Sequence, residues 1–245
     1  MEMLRSYFVF TFLIVLKGLA RLFYRFETTW VGDEPPPSGD PWSSIRVAAV
    51  LHHTSLFDLL FIAALPARML WLMARHAVAP GADVTLERPI LGRLTKLFVH
   101  RMIPVSRKRD ATWDTMLDAI GQDAFVLLAP EGRMMRRGGL DKNGQPMTVR
   151  GGIADILEAV ESLPGPNRLL LFYSQGVHHV QAPGERFPRL FKTFAANLDS
   201  VAIPGYLADR RREAERDGVS LRQAIIRDLE MRRDRHCPVP DRHLR

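Results

Sequence analysis

The stretch Ile45-Arg-Val-Ala-Ala-Val-Leu51, followed by His52-His53-Thr54-Ser55-Leu56-Phe57-Asp58, decides how this chain is read. Its first seven residues are branched or small apolar side chains interrupted by one arginine, the composition of a largely buried strand. Polar residues then turn the chain, and Leu56–Ala64 follows as an apolar helical run. A strand that yields to a helix within a few residues opens a crossover unit. The alternation continues downstream. Apolar runs at Met69–Met73, Met102–Val105, Phe125–Ala129 and Leu169–Tyr173 predict further strands, while Ile90–Phe98, Ala111–Ile120 and Ile153–Glu161 predict helices. Strands spaced by helical stretches of this length imply an α/β fold, with a mostly parallel central sheet flanked by helices. No internal repeat interrupts the pattern.

Composition agrees with one sizeable core. The chain has 245 residues, 47% hydrophobic and 25% charged, which excludes a disordered or collagen-like chain. Lys and Arg number 34 against 27 Asp and Glu, a net charge of +7. Such a surface prefers anions: nucleic acid, anionic lipid, or phosphorylated and CoA-like ligands. Aromatic and basic residues are not interleaved as in nucleic-acid readers. The single cysteine, Cys237, excludes an intramolecular disulfide and multi-cysteine metal sites, and reads as an ordinary free thiol in a basic tail.

Three regions follow. Residues 1–31 form an N-terminal helical segment, 32–44 a proline-rich linker around Pro35-Pro36-Pro37, and 45–245 the main domain. In the first region no charge falls between Ser6 and Leu16, after which Lys17, Arg21 and Arg25 recur every four residues on one helical face. An apolar run joined to a basic amphipathic one suits a helix lying in a membrane interface. The same pattern also suits a helix docked on the core. A signal or spanning segment fits less well, because the apolar run is short and charge follows it directly. Near the other end, Ser220-Leu-Arg-Gln223 has capping-box spacing, and Leu221, Ile225 and Leu229 form one stripe of an arginine-rich helix.

The chemistry concentrates after the strands, where open α/β sheets collect ligands. His53 and Asp58, five positions apart across a strand-to-helix turn, can meet, because Asp58 falls in the first helical turn. A carboxylate on one imidazole nitrogen fixes the tautomer and leaves the other as a base. At the same spacing His52 falls opposite Phe57. Arg107 ends the second block, Ile103-Pro104-Val105-Ser106-Arg107, and a third block runs Pro130-Glu131-Gly132-Arg133 out of an apolar strand. His178-His179 lacks the helical spacing of a metal pair. Fingerprints of serine hydrolases, phosphate loops and dinucleotide folds are missing from the sequence.

These three ordered blocks resemble the glycerolipid acyltransferase family, the lysophosphatidic acid acyltransferase-like enzymes. His53 and Asp58 match its histidine-four residues-aspartate hallmark, Arg107 its second-block arginine, and Pro130-Glu131-Gly132 its third block. The separations, 54 positions from His53 to Arg107 and 24 more to Glu131, match as well. The resemblance covers roughly residues 45–175. It departs in the third block, where Arg133 and Met134 stand at the family's threonine and arginine positions, leaving Arg133, Arg136 or Arg137 to supply the charge. Ser106 replaces the usual Asp or Asn, and Leu169–Tyr173 lacks the fourth block's proline.

The resemblance implies a peripheral membrane enzyme on the cytoplasmic face. It would move a fatty acyl group from acyl-CoA or acyl carrier protein to a lysophospholipid such as 1-acyl-sn-glycerol 3-phosphate. His53 would be the base and Asp58 its orienting carboxylate. Arg107, Arg133 and Arg136 would hold an anionic headgroup, and Glu131 and Gly132 would shape the acceptor pocket. It implies no metal, no cofactor beyond the acyl donor, and no nucleic acid. Two alternatives stand beside it: the same chemistry on a different lipid or pathway-specific alcohol, and a non-enzymatic basic module binding membrane or nucleic acid.

Overall fold

A computed structural model describes residues 2–32, 40, 42–82, 99–106, 110–136, 139–182 and 184–238. The expected strand Ile45–Leu51 forms with those bounds as β2 at the centre of the sheet. Its neighbours are β5 (Phe125–Leu128) and β6 (Arg168–Ser174), both parallel to it. Beyond β5 lie β3 (Ala77–Ala82) and β4 (Arg101–Val105), also parallel. Beyond β6, β7 (Thr193–Ala202) runs antiparallel, and β1 (Arg25–Trp30) pairs parallel to β7 at the far edge. The order is β1-β7-β6-β2-β5-β3-β4. The sheet is therefore mostly parallel, as the alternation predicts.

Both faces are covered, which is why β2 is almost continuously apolar. On one face Val47, Ala49 and Leu51 pack with α3 (Ala111–Asp118), α4 (Gly152–Glu161), α5 (Ile203–Asp217) and α6 (Leu221–His236), through buried Met116, Ile156, Leu207 and Ile225. On the other face Ala48 and Phe172 meet α1 (Glu2–Phe23), a 3-10 helix over Leu56–Ala64, and α2 (Ala67–His76), through Val9, Leu13, Phe61 and Leu70.

Several elements depart from the sequence expectation. Met69–Met73 is part of helix α2, not a strand. Ala67–His76 contains no β-branched residue, Pro66 opens the helix, and Met69, Leu70, Met73 and Ala74 form one buried helical stripe. Arg25–Trp30, expected within a helical segment, is the edge strand β1. Strand β3 escapes sequence reading because Pro80 and Gly81 look like breakers. Its pairing with β5 ends at Val78, so proline's missing donor costs nothing on that side. The helix expected over Ile90–Phe98 lies outside the described residues.

The N-terminal helix is inside out relative to its charge pattern. Arg21 Nε donates to Ala63 O at 3.0 Å and Lys17 Nζ donates to Leu65 O. These two cations satisfy carbonyls at the C-terminal end of the 3-10 helix, which lack intrahelical donors. Burial, and then the nearby Arg21, hold the Lys17 ammonium below the ordinary lysine range. Arg5 turns back as well, donating to His100 O at 2.9 Å. Much of what faces outward is apolar: Leu4, Phe8, Val15, Leu19 and Leu22 are all exposed, alongside Arg5 and Arg21. Among the described residues, α1 is the one helix long and apolar enough to cross a bilayer by length and composition.

The C-terminal helix also hides charge. The capping box at Ser220 and Gln223 forms, and Ile225 and Leu229 are buried. Arg232 then reaches Asp199 at 2.8 Å and Asp228 at 2.9 Å, against the ring of Tyr206, while the Tyr173 hydroxyl donates to Asp199 at 3.4 Å. Asp199 and Asp228 side chains are 0% and 3% exposed, so this pair exists only because each charge is matched. Arg232→Met should therefore cost about 3–5 kcal/mol of stability by leaving Asp199 buried without its cation. Urea unfolding of the variant checks this, with exposed Arg212→Met expected to leave the midpoint unchanged.

Candidate active site

The site grows from the end of β2. His52 holds φ +63°, a left-handed conformation that histidine adopts more readily than most residues. That turn sends consecutive imidazoles in different directions. His52 is used inside the protein, its Nδ1 lying 2.9 Å from Ser174 O and its Nε2 3.2 Å from Met135 Sδ. His53 instead meets Asp58, Nδ1 to Oδ2 at 2.7 Å. The pairing of the two candidates is as the spacing expects.

Asp58 performs two tasks with one oxygen. Oδ2 accepts from His53 Nδ1, from Thr54 N–H at 2.9 Å and from Ser55 N–H at 3.3 Å. Ser55 and Asp58 also form the capping box of the 3-10 helix. Capping residue and dyad partner are thus the same group, and the helix start fixes where the carboxylate stands. The Asp58 side chain is 5% exposed and that of His53 22%. A carboxylate so placed keeps the proton on Nδ1, which leaves Nε2 with its lone pair.

The third block closes on this loop from β5. Glu131 Oε2 accepts from the His53 backbone N–H at 2.9 Å, and Met135 N–H donates to His53 O at 2.9 Å. The other carboxylate oxygen, Oε1, accepts from Arg233 Nη1 at 3.1 Å, and the same guanidinium nitrogen reaches Met147 O at 3.2 Å. With a fully buried side chain, Glu131 is a bracket that holds the His53 backbone, not an exposed wall of a pocket. Gly132, at φ +61°, makes the turn that aims this carboxylate inward; a Cβ there would meet Arg150 Cγ at an ordinary 3.6 Å, so the left-handed backbone rather than lack of space favours glycine.

The remaining expected residues separate. Arg133 is paired with Asp141, whose carboxyl is held below the usual range first by the Gln145 backbone N–H; desolvation opposes this, and Asn143 N–H and Arg133 add to the lowering. Arg136 is exposed on the same loop. Arg107 and Arg137 lie outside the described residues. Gly176, at φ +79°, brings the loop after β6 against this site: a Cβ there would stand 2.9 Å from Thr54 Cγ2, and Val177 N–H donates to Thr54 Oγ1 at 2.8 Å. Among the described residues no three His, Cys, Asp or Glu side chains gather to hold a metal. His179 Nε2 stands 2.7 Å from Thr193 O.

Sequence reasoning missed Arg233, which looks like one of many surface arginines, and misplaced Cys237. That thiol is not in a loose tail. It closes α6, with its N–H donating to Arg233 O at 2.9 Å, and it packs against the core. Burial, with Glu131 nearby, pushes its pKa up to about 12. A scan against protein-family models finds no match to this chain, and a search of curated proteins finds none either.

A raised thiol pKa disfavours the thiolate, which is the nucleophile. At pH 8 Cys237 should react with iodoacetamide about a thousandfold more slowly in the native chain than in urea, by the thiolate fractions alone. Mass spectrometry of timed alkylation checks this.

Proposed function

We propose that this chain is an O-acyltransferase of the glycerolipid acyltransferase type, working at a membrane surface. The observation that carries the reading is the His53–Asp58 pair at 2.7 Å, with its backbone bracketed by Glu131 from the third block. Residues from two of the three blocks of the resemblance thus converge on one loop, although 78 positions separate His53 from Glu131.

The chemistry needs a base and an activated donor. His53 Nε2 takes the proton of the acceptor hydroxyl as its oxygen attacks the thioester carbonyl of acyl-CoA or acyl carrier protein. Asp58 stabilises the imidazolium that results. The tetrahedral centre collapses as the C–O ester bond stands and the C–S bond breaks. The imidazolium then returns its proton to the departing thiolate. Thioesters are activated already, so no covalent enzyme intermediate is required.

The acceptor is a lysophospholipid such as 1-acyl-sn-glycerol 3-phosphate, with Arg107 and Arg136 as the guanidiniums for its phosphate. A different lipid alcohol is the second reading, and the pairing of Arg133 with Asp141 favours it, because that charge is already matched. The outward stripe of α1 supports a helix lying along the membrane, its apolar side chains among acyl chains.

Transfer of a labelled acyl group to a panel of acceptors tests the proposal. His53→Ala should lose about 10²–10⁴ in rate, the usual worth of a general base, and Asp58→Asn should fall with it. Full transfer by His53→Ala would remove the proposed base, and strong preference for a neutral acceptor would select the second reading.

A further inference from the structure

The loop between β6 and β7 exposes a second apolar surface that the N-terminal segment does not include. Phe187 is 73% exposed, Phe191 72% and Leu190 46%, within five residues of one another. Phe191 sits at φ +58°, where a bulky side chain is strained. Its N–H donates to Phe23 O at 2.8 Å, and its ring lies 6.4 Å from that of Phe23. The loop is therefore fastened to the C-terminal end of α1. It continues the outward stripe there, where Leu19 is 51% and Leu22 67% exposed.

Topology places this junction at the active-site end of the sheet. Tyr173, next to the end of β6, pairs with Leu51, the last residue of β2 before the histidines. Ser174 pairs with Ala196 near the start of β7, and Thr193 pairs with Arg25 at the start of β1. The beginnings of β1 and β7 and the ends of β2 and β6 thus share one edge of the fold. From β2 to β1 is three strands, about 14 Å at the ordinary interstrand spacing.

Charge surrounds the apolar side chains. Arg25, Arg186 and Arg189 are exposed, and Lys192 is half-buried. Arg186 lies 5.5 Å from the centre of the Phe187 ring, and Arg189 is paired with Glu185. Aromatic side chains ringed by cations suit an interface where acyl chains meet anionic headgroups. Lys17 is half-buried and gives its ammonium to Leu65 O, whereas Arg21 stays exposed with its Nε on Ala63 O.

We infer that the Phe187–Phe191 loop is a second membrane contact. Together with α1 it seats the active-site end of the sheet on an anionic phospholipid bilayer. The inference rests on the membrane reading of α1 and adds an orientation to it. Two anchoring segments fix how the molecule stands, which one helix free to roll about its axis does not. A lipid hydroxyl emerging from the bilayer then meets the His53 edge of the sheet without leaving its leaflet.

Vesicle co-sedimentation of the full chain tests it, using phosphatidylcholine alone and with roughly one-third phosphatidylglycerol. The variant is Phe187→Ser with Phe191→Asn, because asparagine tolerates the left-handed backbone at 191 and both native rings are exposed. Its far-UV circular dichroism should match the wild type. Partition onto the anionic vesicles should fall about tenfold or more, from the apolar burial lost by two phenyl rings. Arg186→Gln with Lys192→Gln should weaken binding to anionic vesicles and leave binding to neutral ones unchanged. Undiminished binding by the double phenylalanine variant would overturn the second contact and leave α1 as the sole anchor. Failure of the wild-type chain to bind either vesicle would overturn the membrane reading itself. A concentration-dependent dimer in sedimentation velocity, lost in the variant while vesicle binding persists, would assign the surface to self-association instead.

Discussion

The carboxylate of Glu131 is the interaction on which the site depends. One oxygen holds the His53 amide and the other holds Arg233, so a single buried side chain joins the loops after β2 and β5 to the last helix. Neither attachment is optional. A carboxylate in the core without both partners carries a desolvation cost of several kcal/mol, so the chain is committed to this geometry once β5 is in place. The imidazole inherits its position from that commitment, through its backbone from Glu131 and through its ring from Asp58.

A division of labour among the arginines follows. Arg232 and Arg233 are adjacent in sequence yet serve different carboxylates: Asp199 on β7 and Asp228 on α6 itself for the first, Glu131 at the site for the second. Adjacent residues on a helix point about 100° apart, which lets one turn of α6 reach both β7 and the loop after β5. Burial opposes the charge on Arg232, but Asp228, Tyr173 and Asp199 more than offset this and hold its pKa above the ordinary arginine value. A basic composition that suggested only an anion-seeking surface is partly interior scaffolding.

How much of this was legible in the sequence depended on whether the signal was local. β2, β5, β6 and the 3-10 helix carry their own apolar pattern, and the capping box at Ser220 carries its own spacing, so each was readable where it stands. The His53–Asp58 pair was readable for the same reason, since five positions across a turn are a local geometry. What was hidden depends on residues outside the segment itself, near or distant. Met69–Met73 is too short to show its period until Pro66 is seen to start a helix. β7 interrupts its apolar residues with Asn197, Asp199 and Ser200, and its two edges are satisfied only by β6 and β1. Lys17 and Arg21 advertise an outward basic face, yet each gives a donor to an open carbonyl, Leu65 O and Ala63 O, and Lys17 is half-buried in doing so. Arg233 could not be singled out from its neighbours, because its partner lies 102 positions earlier.

The edge pairing of β1 with β7 has a consequence in time. Arg25 and Thr193 are partners in the register, so β1 has no strand to join until 168 further residues exist. At about 5–20 residues per second of synthesis, that is a wait of roughly ten to thirty seconds. During it the apolar helix ahead of β1 is already complete, with its outward stripe facing whatever surrounds the emerging chain. Strand β1 is thus among the last elements to be locked in place.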